Sequence, residues 1–221
     1  MALYRLGMMV RETGQALERV GCRLQGVDAF KEDLFRHRSI MNLETIKPML
    51  GGGSWVAPNA AVVGNVSIGE KSSVWYGSVV RGDDSPVEIG SNSNVQDGCT
   101  VGGIITEYPQ RLPTKIGDNV TVGHGATLSG CTVEDECLIG MGSTLMPGSK
   151  VEKGSMVAAG AVIPPDAVVG SGELWGGNPA KLLRKLKQPE ADFLPVSADK
   201  YSELAAKHST DVTNLVKNVT S

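Results

Sequence analysis

Between Val56 and Trp175 an aliphatic residue returns at every sixth position, Trp175 itself closing the series, and glycine often follows it. The anchors fall into four runs: Val56, Val62, Ile68, Val74 and Val80; Ile89, Val95 and Val101; Ile116, Val122 and Leu128; then Val133, Ile139, Leu145, Val151, Val157, Ile163, Val169 and Trp175. A period of six matches neither an α-helix nor a plain strand, and held over about 120 residues it marks a solenoid. β-branched anchors with turn pairs such as Gly69-Glu70, Gly90-Ser91 and Gly117-Asp118 between them make each hexad one short strand plus one corner.

Hexapeptide β-helices, which this period resembles, close one triangular, left-handed coil from three hexads. The breaks in register then carry information. Val80 to Ile89 spans nine residues, Val101 to Ile116 fifteen, and Leu128 to Val133 five. The fifteen-residue step is one hexad plus a nine-residue insertion around Ile105 to Pro113, so residues 104–113 loop out of the coil, and loops on rigid scaffolds commonly carry function. With the insertion set aside, Leu128 follows Val101 by three hexads. The two residues are predicted to stack on one face, about 4.8 Å apart.

The flanks follow other patterns. Leu3, Leu6, Val10, Leu17, Val20 and Leu24 recur mostly three or four residues apart, with Arg5, Arg11, Glu12, Glu18, Arg19 and Arg23 between them, which predicts an amphipathic helix. A second helical piece is expected from Asp28 to His37. The first helix suits a mitochondrial presequence, a membrane surface or a partner protein; Glu12 and Glu18 oppose the presequence, which would be poor in acids. Past Trp175, Gly176-Gly177-Asn178-Pro179-Ala180 forms a turn. Lys181 to Lys187 (KLLRKLK) reads as the start of a basic helix that resumes from Ser197 to Val219 after Pro189 and Pro195. The expected parts are a helical docking segment at 1–50, the β-helix at 51–180 and a helical tail at 181–221. Lys181, Arg184 and Lys185 make anionic lipid a candidate partner of that tail.

At 221 residues, 41% hydrophobic and net charge −3, the chain can bury a sizeable core without disulfides, and no basic patch points to nucleic acid. Cys22, Cys99, Cys131 and Cys137 form no CxxC pair and read as reduced thiols. No run of 18 apolar residues occurs, so no segment is expected to span a bilayer.

A closer resemblance lies in Arg11-Glu12-Thr13-Gly14-Gln15-Ala16-Leu17, Gly21-Cys22-Arg23-Leu24-Gln25-Gly26, Val74-Trp75-Tyr76-Gly77, Arg81-Gly82-Asp83, Asn94-Val95-Gln96-Asp97, Ile116 to His124 and Trp175 to Ala180. Together these segments resemble the γ-class carbonic anhydrase-like subunits of mitochondrial complex I in plants and green algae. The match runs from about residue 4 to residue 187. The hexads and the Gly-Asn-Pro-Ala turn also suit hexapeptide acyltransferases, so the RETGQAL and GCRLQG segments carry most of its specificity.

That resemblance implies a trimer of β-helices with zinc held between subunits by three histidines, two from one chain and one from the next. The ligand positions fall on Gly102, His124 and Ser129, so only one imidazole is kept. Hexad counting stacks Gly102 and Ser129 on one edge, where two histidines would share a metal, and puts His124 on another. Glycine offers no ligand and a serine hydroxyl is a poor neutral one for zinc. By the same resemblance Arg81 and Asp83 form an ion pair between subunits, Gln96 orients the zinc-bound water with Asp97 beside it, and Asn178 stands near the rim. Buried pairs of this kind also serve register alone.

Two functions of different class follow. One is a structural, catalytically inactive subunit of a heterotrimeric γ-carbonic anhydrase module, peripheral to the matrix side of the mitochondrial inner membrane. It is tethered to the membrane arm of NADH:ubiquinone oxidoreductase (complex I) and partnered by paralogous subunits. On this reading the chain alone binds no cofactor, and zinc is held only at an interface with a neighbour that receives His124. The other is a trimeric hexapeptide acyltransferase with His124 as general base.

Overall fold

The computed structural model describes residues 2–25, 37–103 and 111–219. The helix expected from Asp28 to His37 lies outside the described residues save its last, as does the 104–110 part of the loop. Two compact units divide the chain, 1–37 and 38–221. The first holds the predicted amphipathic helix, α1 (Ala2–Gln25). Its Leu3, Leu6, Val10, Leu17, Val20 and Leu24 are all exposed. Thr13, a poor helix former, bonds the Met9 carbonyl four residues back at 2.9 Å, the usual local outlet for a mid-helix hydroxyl.

The second unit is a parallel β-helix. On one face Trp55 pairs with Ser73, Ser73 with Asn94, Asn94 with Thr121, Thr121 with Leu138 and Leu138 with Met156, so successive coils advance by 18, 21, 27, 17 and 18 residues. These departures from three hexads are the breaks in the sequence: the nine-residue step adds three residues, the insertion nine, and the five-residue step removes one. Val101 pairs directly with Leu128, as the hexad count requires. The anchors from Val62 to Val169 are buried, most of them completely, and each contributes about 1.5–3 kcal/mol of transfer free energy.

Each coil has three faces, distinguished by what stands outside the anchors. The helix face presents Trp55, Ser73, Asn94, Thr121, Leu138 and Met156. The uncharged face presents Val79, Thr100, Thr127, Thr144 and Val162. The charged face presents Glu88, Lys115, Thr132, Lys150 and Val168. The last two faces belong to one twelve-stranded sheet because strands Ala61–Ile68 and Val79–Ile89 run straight from one to the other. Between the charged and helix faces the corner takes positive φ in every coil, through Lys71, Asn92, Asn119 and Glu136 at 53–56°. Asparagine tolerates this left-handed region better than most residues, which explains its place in two of these turns.

The C-terminus departs from expectation. KLLRKLK is not helical: Ala180–Lys185 is a strand, antiparallel to Glu173–Gly177. The strand that carries Trp175 would otherwise leave an open edge on the last coil, and pairing that edge overrides the local helical pattern. Two of the three cations considered for lipid are already paired, Arg184 with Glu190 and Lys185 with Glu173. α2 (Gln188–Val219) then runs unbroken through Pro195 rather than starting at Ser197, with Pro189 close to its N-terminus, where a missing N–H costs nothing. Leu194, Ser197, Ala198 and Ala205 form its buried stripe against the helix face. The solenoid also starts earlier than residue 51, since Ile40–Met41 and Met49–Leu50 both pair with Ala61–Ile68. Cys99, Cys131 and Cys137 are free and buried, and burial pushes their thiols up to about 11, 12 and 12.

Candidate functional site

Strand Val79–Ile89 lays Arg81 beside Gly102, and Ser129 follows one coil on, so the three stand along one edge of the uncharged face. Ser129 is buried, and its hydroxyl donates to the Gly103 carbonyl at 2.9 Å. Gly102 has φ +75°, and a Cβ there would collide with the Arg81 carbonyl oxygen and lie 2.6 Å from Val87 Cγ2. Position 102 therefore has no room for any side chain on this backbone. Gly102 and Ser129 stand one coil apart on one edge, as the hexad count requires, and neither brings an imidazole to it.

The Arg81–Asp83 pair forms within the chain, with Nε 3.0 Å from Asp83 Oδ2 and Nη2 bonded to the same oxygen. Two residues apart on one strand, the two side chains point the same way and meet within the single chain. The Arg81 hydrogen bond holds the Asp83 carboxyl below its ordinary range, and Asp83 raises Arg81 in return. The pair is too exposed to add much stability.

The opposite edge of the uncharged face carries His124. Asp97 lies one coil before it, and Asp97 Oδ2 is 3.0 Å from His124 Nδ1 while Asp97 Oδ1 accepts the Tyr76 amide at 3.0 Å. With Nδ1 engaged, the ring offers Nε2 to a ligand or a proton. His124 and Ser129 thus flank the strand Thr127–Leu128 from its two ends.

Gln96 is buried and belongs to a polar ladder rather than to an open site. Its amide donates to Asn94 Oδ1 at 3.2 Å, Asn94 donates to Thr121 Oγ1 at 3.2 Å, and Thr121 reaches Ser197 of α2 at 3.2 Å. Asn178 sits exposed in the turn after the last coil. The structure therefore joins Asp97 to His124 and Arg81 to Asp83, sets Gly102 next to Ser129, and keeps Gln96 and Asn178 out of direct contact with any of them.

Trp55, Tyr201 and His208 were not singled out from the sequence, and Trp75 and Tyr76 only as part of a resembling segment. Trp55, Trp75, Tyr76 and Tyr201 form a cluster around His208, whose Nδ1 lies 2.8 Å from the Tyr76 hydroxyl. The signal available was that Trp55, Ser73, Asn94 and Thr121 precede anchors on the face that α2 covers, where large or hydrogen-bonding groups meet a partner. As for metal, His124 is the one imidazole at the three ligand positions, and among the described residues no three His, Cys, Asp or Glu side chains converge. The chain by itself does not fit a three-histidine zinc centre.

The repeats match the bacterial transferase hexapeptide (six repeats) model over residues 113–147 and 130–165. In structure the chain resembles a hexapeptide transferase family protein from Anaplasma phagocytophilum, at TM-score 0.70 and 38% identity, covering 75% of this chain and 95% of that one. The parallel solenoid with this repeat is thus a hexapeptide β-helix. In sequence it is 51% identical over 211 residues to gamma carbonic anhydrase 1, mitochondrial, of Arabidopsis thaliana, covering 95% of this chain and 77% of the relative. It is 40% identical over 186 residues to gamma carbonic anhydrase-like 2, mitochondrial, of the same plant, covering 83% and 72%. The chain belongs to the γ carbonic anhydrase family.

Proposed function

We propose that this chain is a catalytically silent γ carbonic anhydrase-like subunit of a heterotrimer on the matrix side of mitochondrial complex I, and that it lends His124 to a zinc site completed by a paralogous neighbour. The observation that carries the reading is the Asp97–His124 pair at 3.0 Å: it fixes an imidazole with Nε2 available, on a chain whose own ligand positions 102 and 129 hold none. The uncharged face supports it. Packing that face around a three-fold axis brings the His124 edge of one chain to the Arg81–Ser129 edge of the next, and its threonine and valine exterior loses little on burial. The mitochondrial names of the relatives and the apolar row of α1, which gives a large partner something to hold, support the location and the tether. With one imidazole per homotypic interface the chain alone is not expected to retain zinc or hydrate CO₂.

The test is a metal census on the heterotrimer isolated from complex I, with His124→Ala in this chain only. Loss of one zinc per trimer is expected; unchanged zinc content refutes the donation, and absence of the chain from complex I refutes the placement. The same dyad favours a second reading, general-base acyl transfer at His124, for which thioester turnover abolished by His124→Ala is the distinguishing result.

A further inference from the structure

α2 packs over strands Trp55–Val56, Ser73–Val74, Asn94–Val95 and Thr121–Val122, and leaves Leu138 and Met156 of the next two coils half-exposed. Along its flank lies a groove of about 340 Å³. Leu138, Gly140, Met156 and Ala158 make the floor, and Met141, 60% exposed, makes the outer wall with Ala159. Glycine at 140 lets the two coils stack closely under the groove, since a Cβ there would collide with the Ala159 amide of the next coil. At one end Gln96, Thr121 and Ser197 of the buried polar ladder lie behind the lining, and Tyr201, which is part-exposed, gives the groove its polar group. Burial raises the Tyr201 phenol, with the Asp97 carboxylate adding to the effect, so its hydroxyl remains a neutral donor. None of the lining side chains is charged.

We propose that this groove binds a neutral, mostly apolar molecule of about ten non-hydrogen atoms, given roughly 30 Å³ for each small group, with one hydrogen-bonding head at the Tyr201 end. An apolar floor with a few convergent polar groups at one end is the usual make-up of a small-molecule site. A charged ligand would lose its water without meeting a countercharge. The two methionines adapt their unbranched side chains to an aliphatic body. The site stands on the helix face, with Met141 at its rim one coil on from His124, and its lining includes no metal-ligand position.

The test titrates the full chain, labelled with ¹³C at its methionine methyls, with octanamide and separately with octanoate, which has the same length and a charge. Octanamide is expected to shift the Met141 and Met156 resonances saturably while the other methionines stay still, and octanoate to bind about tenfold more weakly. Ala158→Leu fills the floor and should remove the response. Tyr201→Phe keeps the ring against Trp75, where the centroids are 5.5 Å apart, and should weaken octanamide about threefold by loss of one hydrogen bond; it decides the matter if Ala158→Leu fails to fold. Shifts that do not saturate, equal binding of octanoate, or an Ala158→Leu chain that responds as before would overturn the proposal. A change of oligomeric state in Ala158→Leu with no octanamide response would overturn it too, and assign the groove to another protein chain.

Discussion

The two faces that share the twelve-stranded sheet are alike inside and opposite outside. Val101, Leu128 and Leu145 under the uncharged face and Ile116, Val133 and Val151 under the charged one are all within 3% of full burial. Outside, Lys150 meets Glu134 at 2.8 Å and Lys115 meets Glu88 at 3.4 Å on one face, whereas Thr100, Thr127 and Thr144 stand on the other. Exposed pairs of this sort add under about 1 kcal/mol each, but they keep a flat sheet surface wet and apart from its neighbours. The inner anchors specify the coil, and the outer residues specify what each face meets. One surface carries paired charges and the other carries none.

The sharpest way to break this comparison is a charge on each face. Thr127→Arg should abolish assembly with partner subunits, while Thr132→Arg, at the matching place on the charged face, should leave it intact; sedimentation of the two variants with the partners decides. Equal behaviour would mean that the uncharged face is not an interface.

Next in size is a contrast between glycines at the two ends of the uncharged face. Gly98, in the corner that precedes Thr100, has φ +68° with nothing near its missing Cβ, so Gly98→Ala should cost about 1 kcal/mol through backbone strain alone. Gly102→Ala adds the collision with Arg81 and should cost about 2–4 kcal/mol. Chemical denaturation midpoints measure both, and equal losses would show that the Gly102 edge relaxes freely.

The smallest effect is electrostatic. The Arg184 guanidinium, aided by the Lys187 amide, draws Glu190 from 4.5 down to about 2. A carboxyl depressed in the folded state lends stability above its unfolded pKa and loses it as pH falls through the folded one. The start of α2 should therefore loosen between pH 4.5 and 2, and thermal melts of Glu190→Gln should differ from the parent at neutral pH and converge with it at the acid end of that range.

The solenoid was legible because a buried anchor every sixth residue is a one-dimensional signal, and the three breaks translated directly into coil lengths. The Asp97–His124 pair was within reach of the same counting, since these residues lie as far apart as Val101 and Leu128. What escaped needed three dimensions. KLLRKLK has a helical pattern, and only the open edge beside Trp175 reveals it as a strand. Gly102 read as a lost ligand; that its Cβ has no space depends on the Arg81 carbonyl in the preceding coil. Tyr76 and His208, 132 residues apart, carry no mutual signal in the sequence.

The direction of α2 bears on how the chain emerges from the ribosome. The helix leaves the last coil and travels backwards, Ser197 reaching Thr121, then Tyr201 reaching Trp75, then His208 reaching Trp55 and Tyr76. The outer sides of the first coils therefore wait for residues made after every coil. Coils can stack as they are translated, each on the one before, yet Trp55 and Trp75 stay uncovered until α2 is released. A nascent chain stalled before residue 197 would present a bare tryptophan surface to chaperones, and emergence of residues 197–208 would withdraw it.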